Sequence, residues 1–351
     1  MTTAQNILES PGAAFRALLR DDRLRAQYLP PLSTEQVQAI EEYLPSVLDA
    51  AGQWVSRFPE LNPATLVPAT LLKIGQLYPL AVRDITTAVE WEIWVFAFDD
   101  LFDQEHRAFS ETSKIIDECY AIAIARPGTE QARSGFGVSF LEIKDALAAH
   151  RTFRDLQAAF VGTLAWMIDG VTWVEQNARG PRPSFDEYLY HAGHAFWHPF
   201  VWSLPLFDDE AISTELSRFL QLADQCARAC RLSNDLRTLG RELREGVLNG
   251  LTIRLAELAA SSDAGATRQL RKNAEHYVRA AMLKERENAH ATARTITTPS
   301  AAEAAFIRLM ELSIETYERK DVREWTASLA RSQRSGGERG APTSTRRRKR
   351  G

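Results

Sequence analysis

Two acidic segments of this 351-residue chain carry side chains able to gather cations. The first is Phe98-Asp99-Asp100-Leu101-Phe102-Asp103, and the second is Asn234-Asp235-Leu236-Arg237-Thr238-Leu239-Gly240-Arg241-Glu242. On a helix, Asp99 and Asp103 share a face. Asn234, Thr238 and Glu242 also step by four, about 40° around the helix each time. Each segment therefore presents a row of hard oxygen ligands to one side. Mg²⁺ takes such ligands, usually a few from protein and the rest from water and substrate phosphate. Two such rows facing each other would hold a diphosphate between magnesium ions.

An Asp-Asp-x-x-Asp cluster alone also decorates solvated helix ends. Here it directly follows Trp91-Glu92-Ile93-Trp94-Val95-Phe96-Ala97-Phe98, a very apolar stretch. Acids crowded at the end of a core helix repel one another unless cations gather them. In the second segment, Asn and Thr are poor helix-interior residues, and Arg228, Arg231, Arg237 and Arg241 crowd around them. Such a mixture makes a poor core and a good diphosphate–metal site. His191, His194 and His198 are spaced for a Zn²⁺ site, but Pro199 and the neighbouring rings favour a buried polar stripe. Phe207-Asp208-Asp209-Glu210 lacks the ligand spacing and is a decoy.

The elements that must position these rows read almost entirely as helix. Ser33-Thr34-Glu35-Gln36 resembles a capped helix start, continuing to about Arg57. Helices are expected over 70–78, 84–103, 110–125, 137–151, 152–178, 185–204, 210–242, 248–260, 265–296 and 300–331. No stretch alternates long enough for a strand. The expectation is an all-α single domain over 33–331, a bundle of about ten or more helices. A weakly ordered leader over 1–32 precedes it and a basic tail over 332–351 follows.

Composition narrows the classes. Hydrophobic residues make up 45% of the chain, enough for a substantial core. No apolar run is long enough for a membrane span, and the first ten residues do not read as a signal peptide. Three cysteines do not make a disulfide framework, and a reducing cytoplasm is the expected compartment. The net charge of -4 conceals a strongly basic C-terminal end, Arg346-Arg347-Arg348-Lys349-Arg350. That tail has nothing to bury and reads as disordered. It has no interleaved aromatic residues for stacking, so no nucleic-acid partner is expected.

The two segments, in this order and at this separation, resemble the motifs of the class I terpene synthases. Trp173-Val174-Glu175 through Pro183-Ser184-Phe185-Asp186-Glu187-Tyr188-Leu189 is similar to the entry of that family's kinked central helix, and the resemblance covers roughly residues 35–328. It implies that Asp99 and Asp103 bind Mg²⁺ from one helix and Asn234, Thr238 and Glu242 from another, with three ions in the closed state. It also implies that Arg241 and Arg237, with Arg319 or Arg323 near the C-terminus, touch the diphosphate of a prenyl substrate. Guanidinium forks suit phosphate oxygens. Loss of diphosphate would leave an allylic carbocation, which needs a dry apolar pocket. Trp94, Phe98, Phe102, Trp166, Phe196, Trp197, Phe200 and Trp202 supply rings for cation–π contact, with Phe98 and Trp197 the preferred walls.

One departure bears on the substrate. Many members carry an Arg shortly after the Tyr-Leu pair, whereas Tyr188-Leu189 is followed by Tyr190-His191-Ala192-Gly193-His194. Bacterial enzymes acting on bicyclic labdane-type diphosphates look similar in this respect. The expectation is therefore a diterpene synthase acting on a copalyl-type diphosphate or geranylgeranyl diphosphate. A separate class II cyclase would supply the bicycle, since no Asp-x-Asp-Asp motif is present. The alternatives are farnesyl diphosphate as substrate, a chain-elongating prenyltransferase, or a non-enzymatic helical metal-binding protein. A homodimer is the default assembly.

Overall fold

The computed structural model describes residues 33–103, 109–126, 128, 131–178, 180–260 and 267–319, apart from the side chains of Gln36, Phe102, Asp103, Phe109, Ser110 and Thr267. The expected leader, the basic tail and Arg323 lie outside the described residues. Among those described there are helices and turns and no strand. The helices are α1 (Thr34–Val55), α2 (Leu66–Leu77), α3 (Val82–Asp103), α4 (Phe109–Ile124), α5 (Gly135–Ala148), α6 (Phe153–Ala178), α7 (Phe185–His194), α8 (His198–Val201), α9 (Ala211–Thr214), α10 (Leu216–Glu245), α11 (Gly250–Ala260), α12 (Thr267–Ala293) and α13 (Ala302–Arg319). Short 3-10 turns occupy Pro63–Thr65 and Leu204–Phe207.

Local chemistry sets several of the boundaries. Ser184 begins α7 with a capping box: its hydroxyl accepts from the Glu187 N–H, and the Glu187 carboxylate accepts from the Ser184 N–H. Ser134 caps α5 by accepting from the Gly137 N–H at 2.9 Å. Gly246, at φ 71, ends α10 in the left-handed conformation that glycine adopts without penalty.

Two expected long helices are broken. The helix read over 185–204 stops at His194 and resumes as α8 at His198. Pro199 brings no N–H to continue the ladder. The helix read over 210–242 divides at Glu215 into α9 and α10, and α10 then runs on to Glu245.

Helix α3 packs against α1, α2 and α5, while α10 packs against α12, α13 and α7. A stack of rings joins α3, α5 and α6. Trp94 lies 5.0 Å from Phe98 and 4.8 Å from Phe140, and Phe160 lies 4.8 Å from Trp202. Helix α7 lies against α6 where Gly170 leaves no room for a side chain: a Cβ there would come within 2.6 Å of the His191 carbonyl oxygen. The break after α7 is thus held close to α6.

Candidate active site

The α10 row is in place and largely shielded. Asn234, Thr238 and Glu242 are all buried. The Thr238 hydroxyl donates to the Asn234 carbonyl oxygen at 2.8 Å, so its hydrogen is committed and its lone pairs remain for a cation. Thr238 Oγ1 also sits 3.5 Å from Asn234 Oδ1. Neighbouring ligands on an octahedral Mg²⁺ stand about 2.9 Å apart, given bonds near 2.05 Å. A small adjustment would therefore bring both oxygens onto one ion. Asn249 donates to Glu242 Oε2 at 2.6 Å and to the Asp235 carbonyl oxygen at 3.0 Å, which fixes the carboxylate at the end of the row. All three side chains offer hard oxygens, and the set fits a magnesium ion completed by water and phosphate.

Asp235, about 100° around the helix from Asn234, points inward and is fully buried. The Tyr188 hydroxyl lies 2.8 and 2.9 Å from its two oxygens. Gly250 donates its N–H to Oδ2 at 3.1 Å. Arg231 Nη2 stands 2.9 Å from Oδ1, off the hydrogen-bonding direction, while Arg231 Nε donates to the Tyr188 hydroxyl at 2.7 Å. Burial pushes the Asp235 carboxyl up and Arg231 pulls it back, leaving it at about 6, still ionised at neutral pH. The α11 backbone must come very close here. A Cβ on Gly250 would lie 2.7 Å from Asp235 Oδ2 and 2.9 Å from Tyr188 Cε1.

The α3 segment differs. Asp99 is exposed, and Asp100 is half-buried and lines a groove of about 500 Å³ with Glu60, Asn62 and Phe136. Asp100 thus faces away from the Asp99 side of the helix. Helix α3 continues through Asp103, whose side chain, like that of Phe102, lies outside the described residues. Among the described residues no group of three or more His, Cys, Asp and Glu side chains is gathered as a metal site.

The expected arginines are dispersed. Arg241 is half-buried, 2.9 Å from Glu245 and 4.0 Å from Glu242 Oε1. Arg237 is exposed on α10, and Arg319 is exposed at the end of α13. Arg231 is the guanidinium built into the site, with Tyr188 and Phe196 rings 5.5 and 5.9 Å away. Its crowding with Arg228 was legible in the sequence, but its anchoring to Tyr188 was not.

Of the preferred walls, Trp197 is buried at the α7–α8 break, edge-on to Trp166 at 4.5 Å, with its indole N–H unpaired. Phe98 is buried in the ring stack with Trp94 rather than on the Asp99 face. Phe96 is half-buried and lies within about 60° of Asp99. The three histidines do not converge. His191 stacks on Trp173 and meets Asp169 at 3.1 Å, His194 stacks on Trp166, and His198 meets Glu92 at 3.5 Å. The decoy acids hold loops together: Asp208 binds Arg151, and Asp209 accepts from the Ala211 and Ser300 N–H groups.

Residues 90–280 match the family model described as terpene synthase family 2, C-terminal metal binding, and both acidic segments fall inside that span. The chain belongs to this family. It is 26% identical over 168 residues to a 4-epi-cubebol synthase of Streptosporangium roseum that cyclises (2E,6E)-farnesyl diphosphate; the match covers 46% of this chain and 51% of the relative. The chain thus spans about half the length of that curated relative. The fold is similar to 2-methylisoborneol synthase from Streptomyces coelicolor A3(2), solved with Mg²⁺ and geranyl-S-thiolodiphosphate, at TM-score 0.61 and 14% identity over 80% of this chain and 93% of that one. It is also similar to linalool/nerolidol synthase from Streptomyces clavuligerus, at TM-score 0.54 and 14% identity over 84% and 100% of the two chains. The architecture is the class I terpene synthase bundle, and no described helix is long and apolar enough to cross a membrane.

Proposed function

We propose that this protein is a class I terpene synthase that ionises a prenyl diphosphate with Mg²⁺ and guides the resulting carbocation to a cyclic hydrocarbon or alcohol. The observation that carries this reading is the buried row Asn234, Thr238 and Glu242, with the Thr238 hydroxyl hydrogen committed to a backbone carbonyl and Glu242 held by the Asn249 amide. In the proposal Asp99 and Asp103 supply the opposite ligands. Bound magnesium would neutralise the charge that collects on diphosphate as the C–O bond breaks. Arg231 and Arg241 lie on the same helix as the row, and Arg241 is the one that can reach the diphosphate. Arg237 would have to swing in from its exposed position, and Arg319 would close from the end of α13. Three ions and a homodimer remain part of the proposal.

Farnesyl diphosphate is the substrate we favour. The C20 expectation rested on the missing Arg after Tyr188-Leu189, whereas the similarity to a farnesyl-cyclising relative supports C15. With C15 no class II partner is needed. A chain-elongating prenyltransferase would need a second aspartate-rich motif on α10, where this chain has Asn234-Asp235. The experiment is incubation with C10, C15, C20 and copalyl-type diphosphates and Mg²⁺, followed by mass spectrometry. A kcat/KM for farnesyl diphosphate tenfold above the C20 substrates, about 1.4 kcal/mol of transition-state discrimination, is the expected result. A C20 preference of that size would restore the diterpene reading.

A further inference from the structure

Tyr188 stands in the first turn of α7, directly after the capping box of Ser184 and Glu187, and is completely buried. Its hydroxyl reaches across to α10 and enters the gap between Arg231 and Asp235. Those two residues are four apart on one helix, a spacing at which a guanidinium and a carboxylate can pair directly. Here they do so only in part. Arg231 Nε donates to the Tyr188 hydroxyl at 2.7 Å, while Nη2 stands 2.9 Å from Asp235 Oδ1 without forming a hydrogen bond. The hydroxyl donates its one hydrogen to the Asp235 carboxylate, 2.8 and 2.9 Å from the two oxygens. Burial raises the Tyr188 pKa well above its ordinary value, so that hydrogen stays in place. A side chain of α7 is therefore wedged inside an ion pair of α10.

The wedge bears on where the Asp235 carboxylate sits, and the start of α11 is seated on Asp235. Gly250 donates its N–H to Oδ2 at 3.1 Å, and the Asn249 amide donates to the Asp235 carbonyl oxygen at 3.0 Å. The same Asn249 amide donates to Glu242 Oε2 at 2.6 Å. A second tie joins α7 to α11, from the Phe185 N–H to Glu257 Oε1 at 2.9 Å. The path from the hydroxyl to the last member of the α10 row thus has three links. Tyr188 holds Asp235, Asp235 seats Asn249 and Gly250, and Asn249 holds Glu242. At its other end Asp235 adjoins Asn234, the first member of the row. Without the hydroxyl, Arg231 and Asp235 can close into the direct pair that their spacing allows. Both charges would stay paired, but the carboxylate would leave the seat of α11. The hydroxyl is needed for geometry more than for charge balance.

We propose that Tyr188 is a positioning residue for magnesium: its hydroxyl keeps Asp235 where α11 can present Asn249 to Glu242, and so sets how tightly the α10 row holds the ion. The proposal rests on the class I reading above. Tyr188 itself touches neither the ion nor the substrate. Partners that orient a metal ligand typically change metal affinity about 10–100-fold when lost. Tyr188 acts through such a partner, so its loss should appear in the Mg²⁺ dependence and much less in the rate once the row is filled.

The test compares wild type, Tyr188→Phe, Asn249→Ala and the double variant by two measurements. One is the Mg²⁺ concentration giving half the rise in thermal midpoint in the presence of inorganic diphosphate. The other is the Mg²⁺ dependence of diphosphate release from farnesyl diphosphate. In Tyr188→Phe both half-saturating concentrations should rise at least fivefold, with kcat at saturating Mg²⁺ lowered by less than the same factor. Asn249→Ala should show a shift at least as large. The double variant should be no worse than Asn249→Ala alone, because the hydroxyl acts through that amide. A wild-type Mg²⁺ dependence in Tyr188→Phe overturns the proposal, and so does a lower kcat with no change in half-saturation, which a merely structural role would give. Additive shifts in the double variant also overturn it, since the hydroxyl would then act by another route. If Tyr188→Phe loses its helical circular dichroism, Gly250→Ala decides, since its methyl would displace Asp235 Oδ2 from the α11 side and should raise half-saturation as much. Wild type that is stabilised by Mg²⁺ and diphosphate yet releases diphosphate from no prenyl substrate would overturn the class I reading instead, and the thermal measurement would still decide the role of Tyr188.

Discussion

The two proposed ligand rows sit on helices of opposite character. On α10 the row is shielded, and the residue between its first two members, Asp235, is clamped by Tyr188, Arg231 and Gly250. On α3, Asp99 stands exposed at the end of a helix whose interior is a stack of aromatic rings. One half is fixed before any ligand arrives. In the proposed mechanism the other would be shaped by the diphosphate and cations it gathers. Preorganisation reduces the ordering cost of binding, while an exposed acid end would leave room for substrate to enter.

Ligand removal should have the largest effect. Asn234→Ala or Glu242→Gln should reduce product formation about 10²–10³-fold, the scale for loss of one group that stabilises developing charge, and Asp99→Ala should do the same. EDTA should stop turnover and excess Mg²⁺ restore it. Full activity in Asn234→Ala at limiting Mg²⁺ would dissolve the two-row assignment.

Stability should then divide the halves. Asp235→Asn leaves Arg231 buried with its countercharge gone, at about 3–5 kcal/mol in urea unfolding. Asp99→Asn, on an exposed surface, should stay within about 0.5 kcal/mol. Equal losses in the two variants would erase the contrast. Gly250→Ala forces a methyl against Asp235 and Tyr188 and should cost about 1–3 kcal/mol. A thermal midpoint equal to wild type would show that α11 can shift freely.

A smaller effect supplies a control away from both rows. His150 stands 3.5 Å from both Asp84 and Asp208, and these acids raise its pKa. Its contribution is fully present below its ordinary pKa of about 6.5 and is lost as pH rises through the raised folded value. It should amount to about 1 kcal/mol. In His150→Gln the loss on the alkaline side should vanish, measured as the urea midpoint from pH 6 to 9.

The helical class and the α10 row were legible because both follow from periodicity: a four-residue step puts Asn234, Thr238 and Glu242 on one face wherever the helix lies. What failed was the choice between adjacent faces. Phe98 adjoins Asp99 in sequence but is about 100° away around the helix, and it packs inward, whereas Phe96 shares the acid face. The break at His194 is marked in the sequence only by Pro199, and the tie of the Pro199 carbonyl to Gln76 comes from a distant helix. Asn249 and Gly250 gave no signal, since their role depends on α11 folding back onto Asp235. Glu92 was visible only as a lone charge in an apolar stretch. Its partners Lys73 and His198 lie on other elements.

Helix α2 has every residue from Leu66 to Leu77 buried, and the carbonyl of Gln76 in its last turn is held by Arg308 of α13, 232 residues later. At 5–20 residues per second on the ribosome, that interval takes roughly 10–50 s. During synthesis an apolar helix must therefore wait, part-covered by α1 and α3, for a partner not yet made. Among the described helices, α13 is the one that completes the packing around α2.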